Sequence, residues 1–184
     1  GFDNVWAINE PPAGGTTGSQ FFDASSNIPA IQRELQKYIE RNHLQGQVQL
    51  RLDRRGLVIS LLSDKSYYDE GSAGLRPQTM RILDEVDSFL NENENLIRVE
   101  GNTDNVPIHT ALYPSNWELS TARAVNVVRY LVERDKLAPT RISAAGYGQF
   151  HPRTDNRTED ARQTNRRVDI VLLNASISRA EKGQ

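Results

Sequence analysis

Two side chains of opposite charge, Asp104 and Arg123, bracket the stretch of this sequence with the clearest potential for chemistry. Asp104 sits in the polar run Asn102-Thr103-Asp104-Asn105, just past a short apolar stretch at 97–101. Arg123 falls about two turns into a helix expected to open near Ser115. A carboxylate at the C-terminal end of a strand and a guanidinium on the next helix can face one pocket. Such a pocket suits a group carrying both an ammonium and a carboxylate, since Arg's planar fork takes a carboxylate through two parallel N–H bonds. Taken singly, Asp104 reads as a turn residue and Arg123 as a solvated helix residue or a partner for Glu118. The site reading rests on the two together.

The elements that must position this pair follow from periodicity. Ser115 followed three residues later by Glu118 forms a capping box, in which each side chain satisfies an orphaned backbone N–H. Leu119, Ala122, Val125, Val128 and then Leu131 or Val132 form the apolar face of a helix ending near Lys136. Upstream, Ile28, Ile31, Leu35 and Ile39 predict a helix over 28–43, with Asn27 as its N-cap. Alternation at Val48, Leu50 and Leu52 predicts a half-buried strand, Arg54-Arg55-Gly56 a turn, and 57–62 a second strand. A loop over 63–77 carries Tyr67 and Tyr68 as aromatic anchors, and Pro77 starts a helix over 77–92 with Met80, Leu83, Val86 and Leu90 inward. Strands follow at 96–101 and 141–145, then a short helix near 159–165 and an apolar strand over 167–173. The order from residue 57, β-α-β-α-β-β, describes an α+β fold: a mixed sheet with two long helices on one face. The expected organisation is a Pro/Gly-rich flexible linker over 1–26, a helix-and-strand extension over 27–56, a folded domain over 57–174 and a disordered tail over 175–184.

Composition narrows the classes of function. Lys and Arg number 22 against 24 Asp and Glu, a formal net charge of -2, which argues against non-specific nucleic-acid binding. With no cysteine, disulfide scaffolds, thiolate catalysis and Cys-based zinc sites are excluded. His43, His109 and His151 lie in three different segments without metal-ligand spacing. Gly146-Tyr147-Gly148 ends a strand and does not open a helix, so it is no phosphate cradle. No run approaches the roughly 18 apolar residues that span a bilayer. Asp104, Glu118 and Glu100 are acidic neighbours, but a hydrolase needs a tuned acid, and a nearby Arg123 would lower a carboxylate's pKa. Neither an enzyme nor a cofactor is expected.

The ordered blocks EGNTDNVP, SNWELSTARA, AAGYGQFHP and NRRVDI together resemble the OmpA-like peptidoglycan-binding domain family. The Trp-containing YPSNWELSTARA and the loop segment YYDEGSAGLRP are most similar to the MotB branch, the wall-anchoring stator subunits of the bacterial flagellar motor. The resemblance implies the family's βαβαββ sandwich and a periplasmic module that binds the stem peptide of peptidoglycan at its diaminopimelate residue. It implies that Asp104 and Arg123 make the grip, that Thr103 and Asn116 line the pocket, and that Asn165 with Arg166 or Arg167 closes it. Asn102 departs from the His common in the family. The resemblance further implies an N-terminal transmembrane segment upstream in the inner membrane and a MotA-type membrane partner. A homodimer suits a polymeric ligand, because a second site gains from effective concentration. The alternative is an outer-membrane-associated anchor of the OmpA or Pal type, which would keep the ligand and change the protein.

Overall fold

The alternating and continuous apolar runs assemble into one mixed five-stranded sheet whose register decides what each side chain faces. The computed structural model describes residues 28–62 and 71–183. The expected linker, the Asn27 cap and the Tyr67 and Tyr68 anchors lie outside these residues. The described elements are α1 (Ile28–Arg41), β1 (Val48–Asp53), β2 (Gly56–Leu62), α2 (Pro77–Asn91), β3 (Ile97–Asn102), α3 (Asn116–Glu133), a 3-10 turn at Pro139–Arg141, β4 (Ile142–Gly146), α4 (Glu159–Asn165), β5 (Arg167–Leu173) and α5 (Ala175–Glu181). The strand order is β1-β2-β5-β3-β4. β5 lies antiparallel between β2 and β3, and β3 pairs in parallel with β4 through the α3 crossover.

One face of the sheet presents Leu57, Ile59, Leu61, Ile97, Val99, Val168, Ile170 and Leu172 to the main core, which α1, α2 and α3 complete. The opposite face is mixed. Val58, Val171 and Leu173 form a small apolar patch at one end. Ser60, Glu100, Arg167 and Asp169, all buried, occupy the rest.

The segment expected as an extension is part of this body. β1 pairs with β2 along its whole length, and Ile28, Ile31, Leu35 and Ile39 of α1 are buried in the main core. The tail expected to be disordered is helical over Ala175–Glu181. Asn174 caps it by accepting from Ile177 N at 2.9 Å, and buried Ser178 accepts from Leu96 N at 3.0 Å. Tertiary hydrogen bonds hold a segment too short to be a helix alone. Two helix ends fall earlier than expected because His43 (φ 55) and Lys136 (φ 66) take the left-handed conformation. Neither is the Gly or Asn that normally signals that ending.

α3 sits unusually close to the strands that flank it. A Cβ on Gly101 would lie 1.9 Å from the Ser120 carbonyl oxygen, and one on Gly146 would lie 2.1 Å from Thr121 Oγ1. The first turns of α3 therefore press directly on the C-terminal ends of β3 and β4, which brings the loop after β3 beside the start of the helix.

A different strain lies at the far end of α3. Asp135 is pushed up to about 6 by burial and by the charges of Asp87 and Asp84, and its Oδ2 has no hydrogen-bond partner among the described residues. The folded state thus binds this proton more tightly than the unfolded chain, whose value is 3.8. The associated stability is complete below the unfolded value and is lost as pH rises through about 6. Asp135→Asn should therefore raise stability at pH 7.5 by about 1 kcal/mol after allowing for solvent screening, and change it little at pH 3.5. Urea denaturation at the two pH values checks this, and an equal effect at both would refute it.

Candidate functional site

The capped start of α3 and the loop after β3 build the site. Ser115 caps the helix by accepting from Trp117 N at 3.1 Å, in place of the Glu118 N–H that the capping box implied, and donates to Glu118 Oε2 at 2.5 Å. Below it, pairing continues beyond the ends of β3 and β4. Tyr147 N donates to the Gly101 carbonyl and Thr103 N to the Gly148 carbonyl, both at 2.9 Å. Gly148 N donates to Ser120 Oγ at 3.0 Å. These bonds tie the loops after β3 and β4 to the helix and give Asp104 a fixed platform.

Asp104 is 6% exposed. Its Oδ1 accepts from Val106 N at 3.0 Å and its Oδ2 from Arg166 Nη1 at 2.6 Å. The Thr103 hydroxyl donates to the Asp104 carbonyl at 2.8 Å. Buried Asn116 donates its amide to the carbonyl of Val106 and to Gln149 Oε1, both at 3.1 Å. Thr103 and Asn116 therefore act on the loop backbone that carries Asp104. Arg166 bridges Asp104 and Glu159. Burial pulls its guanidinium down, but the hydrogen bonds and charges of these two carboxylates outweigh that and hold it above its ordinary value. Glu159 lies below its ordinary value because Arg166 and Arg162 both bond to it.

Arg123 is 4% exposed, one turn beyond the Ser120 carbonyl that lies against Gly101. Its Nε donates to the Ser72 carbonyl at 2.9 Å, while nearby Asn126 donates to the Ala73 carbonyl at 2.7 Å. Segment 72–73 thus sets the plane of the Arg123 fork. No sequence signal announces that contact, since nothing in a Ser-Ala-Gly run marks a backbone acceptor.

The choice left open between two arginines has a geometric answer. Arg166 reaches Asp104. Arg167, the next residue, pairs in register with Asn102 on the opposite side and donates to Asp169 at 2.9 Å and to the His151 carbonyl at 3.1 Å. Asn165 is fully buried, and its amide latches the 153–156 loop through the backbone of Arg153 and Thr154. Of the predicted residues, Asp104, Thr103, Asn116 and Arg166 are linked by direct contacts. Arg123 stands at the neighbouring turn of α3, and Asn165 and Arg167 support the adjoining loop and sheet face. An exposed aromatic pair, Trp117 stacked on Phe150 at 5.1 Å between centroids, borders the site. Among the described residues no helix is long and apolar enough to cross a membrane.

Known proteins share both motifs and architecture. The family model described as the OmpA family matches residues 67–166. Motility protein B of Bacillus subtilis is 34% identical over 145 residues, which cover 78% of this chain and 55% of that protein. The chain thus spans about half the length of that relative. The crystal structure of a MotB-like protein from Desulfovibrio vulgaris superposes with a TM-score of 0.71 at 29% identity, covering 80% of this chain and 93% of that one. The cell wall anchor of the type VI secretion system (T6SS) from Pseudomonas aeruginosa superposes with a TM-score of 0.68 at 28% identity, over 76% and 96% of the two chains. With its motifs in order, its mixed sheet matched and its family model spanning more than half the residues, this chain belongs to the OmpA family.

Proposed function

We propose that this chain is the periplasmic, peptidoglycan-binding module of a flagellar stator subunit of the motility protein B kind, and that it anchors the stator to the cell wall by binding alone. The observation that carries the reading is the burial of Asp104 and Arg123 on two elements pressed together at Gly101. Each is held in place by hydrogen bonds. A carboxylate offers about four lone-pair positions, so Asp104 can add a ligand ammonium to the bonds from Val106 and Arg166. Arg123, oriented through Nε by Ser72, takes the carboxylate of the same α-amino acid centre. The diaminopimelate residue of a stem peptide presents that pair of groups.

Charge-assisted bonds of ~1.5–3 kcal/mol each, less desolvation, correspond to micromolar to millimolar binding by one site. A homodimer on a polymeric wall multiplies that by effective concentration. In this reading an inner-membrane segment precedes the module, and a MotA-type subunit is its membrane partner.

Co-sedimentation with purified sacculi tests the site. Asp104→Ala and Arg123→Ala should each reduce the bound fraction by about tenfold or more at sub-saturating sacculi, with no soluble muropeptide released by any form. Circular dichroism verifies that the variants are folded. Folded variants that pellet like the wild type would place the grip elsewhere on the domain.

A further inference from the structure

The sheet face turned away from α1–α3 holds a cleft of about 600 Å³ that the Asp104 site does not use. Its charged lining is Arg51, Arg55, Arg153, Arg167, Glu100 and Asp169. Arg55 grips Glu100 through Nη1 at 2.7 and 2.8 Å and also holds Asp53 at 2.9 Å. Arg153 and Arg167 share Asp169, at 3.0 and 2.9 Å. Arg51, half exposed, has only a 3.4 Å contact to the already engaged Asp53. Among the described residues, four guanidiniums therefore face three carboxylates, which leaves one positive charge there without a counterpart.

The unused valence is visible at two atoms. Among the described residues, Arg153 Nε, a donor, and Asn102 Oδ1, an acceptor, are buried without hydrogen-bond partners; the first suits an anion and the second a hydroxyl or amide N–H on the chain that bears it. Burial, opposed by Asp169 but reinforced by Arg167, Arg51 and Arg55, holds the Arg153 guanidinium below its ordinary value. A network serving only stability gains by balancing its buried charges; this one stays cationic where it opens to solvent. A second cavity of about 440 Å³ shares Arg51 and Arg153 and continues past Gln36, Gln45 and Gln49. The cation thus stands where the first cavity meets a second, lined by three glutamine amides together with Ile39, Val48 and Leu50.

We propose that this cleft is a second binding site, for a single monoanionic oxygen group (a carboxylate or a phosphodiester) borne on an extended polar chain, with Arg51 and Arg153 as its ligands. One surplus charge matches one anion, the guanidinium forks match its oxygens, and the glutamine amides of the second cavity suit a polar chain leaving on that side. The proposal does not rest on the Asp104 reading, because a ligand lacking an ammonium suffices.

Amide NMR titration of the 184-residue chain tests it, with N-acetyl-D-alanyl-D-alanine as the carboxylate probe and glycerophosphoglycerol as the phosphodiester probe. At least one probe should shift the amides of Arg51, Ser60, Asn102 and Arg153 in a saturable way, and the one that does so identifies the source of the anion. Arg51→Gln and Arg153→Gln should each weaken that probe about tenfold, and Arg153→Lys should restore part of the loss. Arg51 is exposed enough that its variant folds regardless of the effect at Arg153. Silence of these amides to both probes, or shifts that persist unchanged in Arg51→Gln, would overturn the proposal. Neither probe carries an ammonium, so the result is independent of whether Asp104 and Arg123 bind the wall.

Discussion

Alanine at Gly101 should lower the unfolding free energy by about 3 kcal/mol or more, at the upper end of what overpacking costs. The added methyl would stand 1.9 Å from the Ser120 carbonyl oxygen and 2.7 Å from its carbon. Both atoms belong to the backbone of α3, so no side chain can swing aside. Relief requires α3 to lift from β3, which would also draw Arg123 away from the loop carrying Asp104. Urea denaturation followed by circular dichroism measures the loss, and sacculus binding by the folded fraction should fall with it. Gly46 is the control: a Cβ there meets nothing within 4 Å, so Gly46→Ala should change stability by no more than about 0.5 kcal/mol. Equal effects at the two glycines would show that helix-to-strand closeness is not what Gly101 secures.

Asp169→Ala should cost about 3–5 kcal/mol, the usual penalty for removing one partner of a buried ion pair. Asp169 is 1% exposed and is the carboxylate shared by Arg153 and Arg167. Its removal strands two guanidiniums in a cleft already cationic, and Arg167 is itself 4% exposed. The penalty should be non-additive. Once Arg153 is also replaced by alanine, the further loss from Asp169→Ala should shrink by about 1–3 kcal/mol, because one of the stranded charges is gone. A double-mutant cycle in urea measures this coupling. Strict additivity would mean that the two side chains do not act on each other in the folded protein.

Much of this architecture was legible in local pattern. The β5 run Arg-Val-Asp-Ile-Val-Leu-Leu matches the observed strand at both ends, and the Ser115–Glu118 spacing marked the neighbourhood in which α3 opens, at Asn116 with Ser115 as its cap. Where local signal was lacking, the boundaries moved. His43 and Lys136 end helices without glycine, and α5 exists because Asn174 and Ser178 bond to a strand end and a loop distant in sequence. β1 and α1 looked peripheral because only pairing with β2 and burial in the main core make them integral.

Of the expected apolar face of α3, Leu119 and Leu131 are buried, but Ala124 and Val127 take the place of Ala122, Val125 and Val128, and Val125 is exposed. The sequence by itself determined most of the elements and the family whose motifs it carries. It also singled out Asp104 and Arg123 as a pair worth testing. Only the tertiary structure decided which of two adjacent arginines meets Asp104. Arg166 closes α4 and Arg167 opens β5, so the outcome depends on where β5 begins and on its register against β3, a property of two strands far apart in the chain. The same holds for the cationic cleft. Arg51, Arg55, Arg153 and Arg167 come from three separate stretches of sequence, and their excess over the nearby carboxylates arises only once β1, β2, β3 and β5 are side by side.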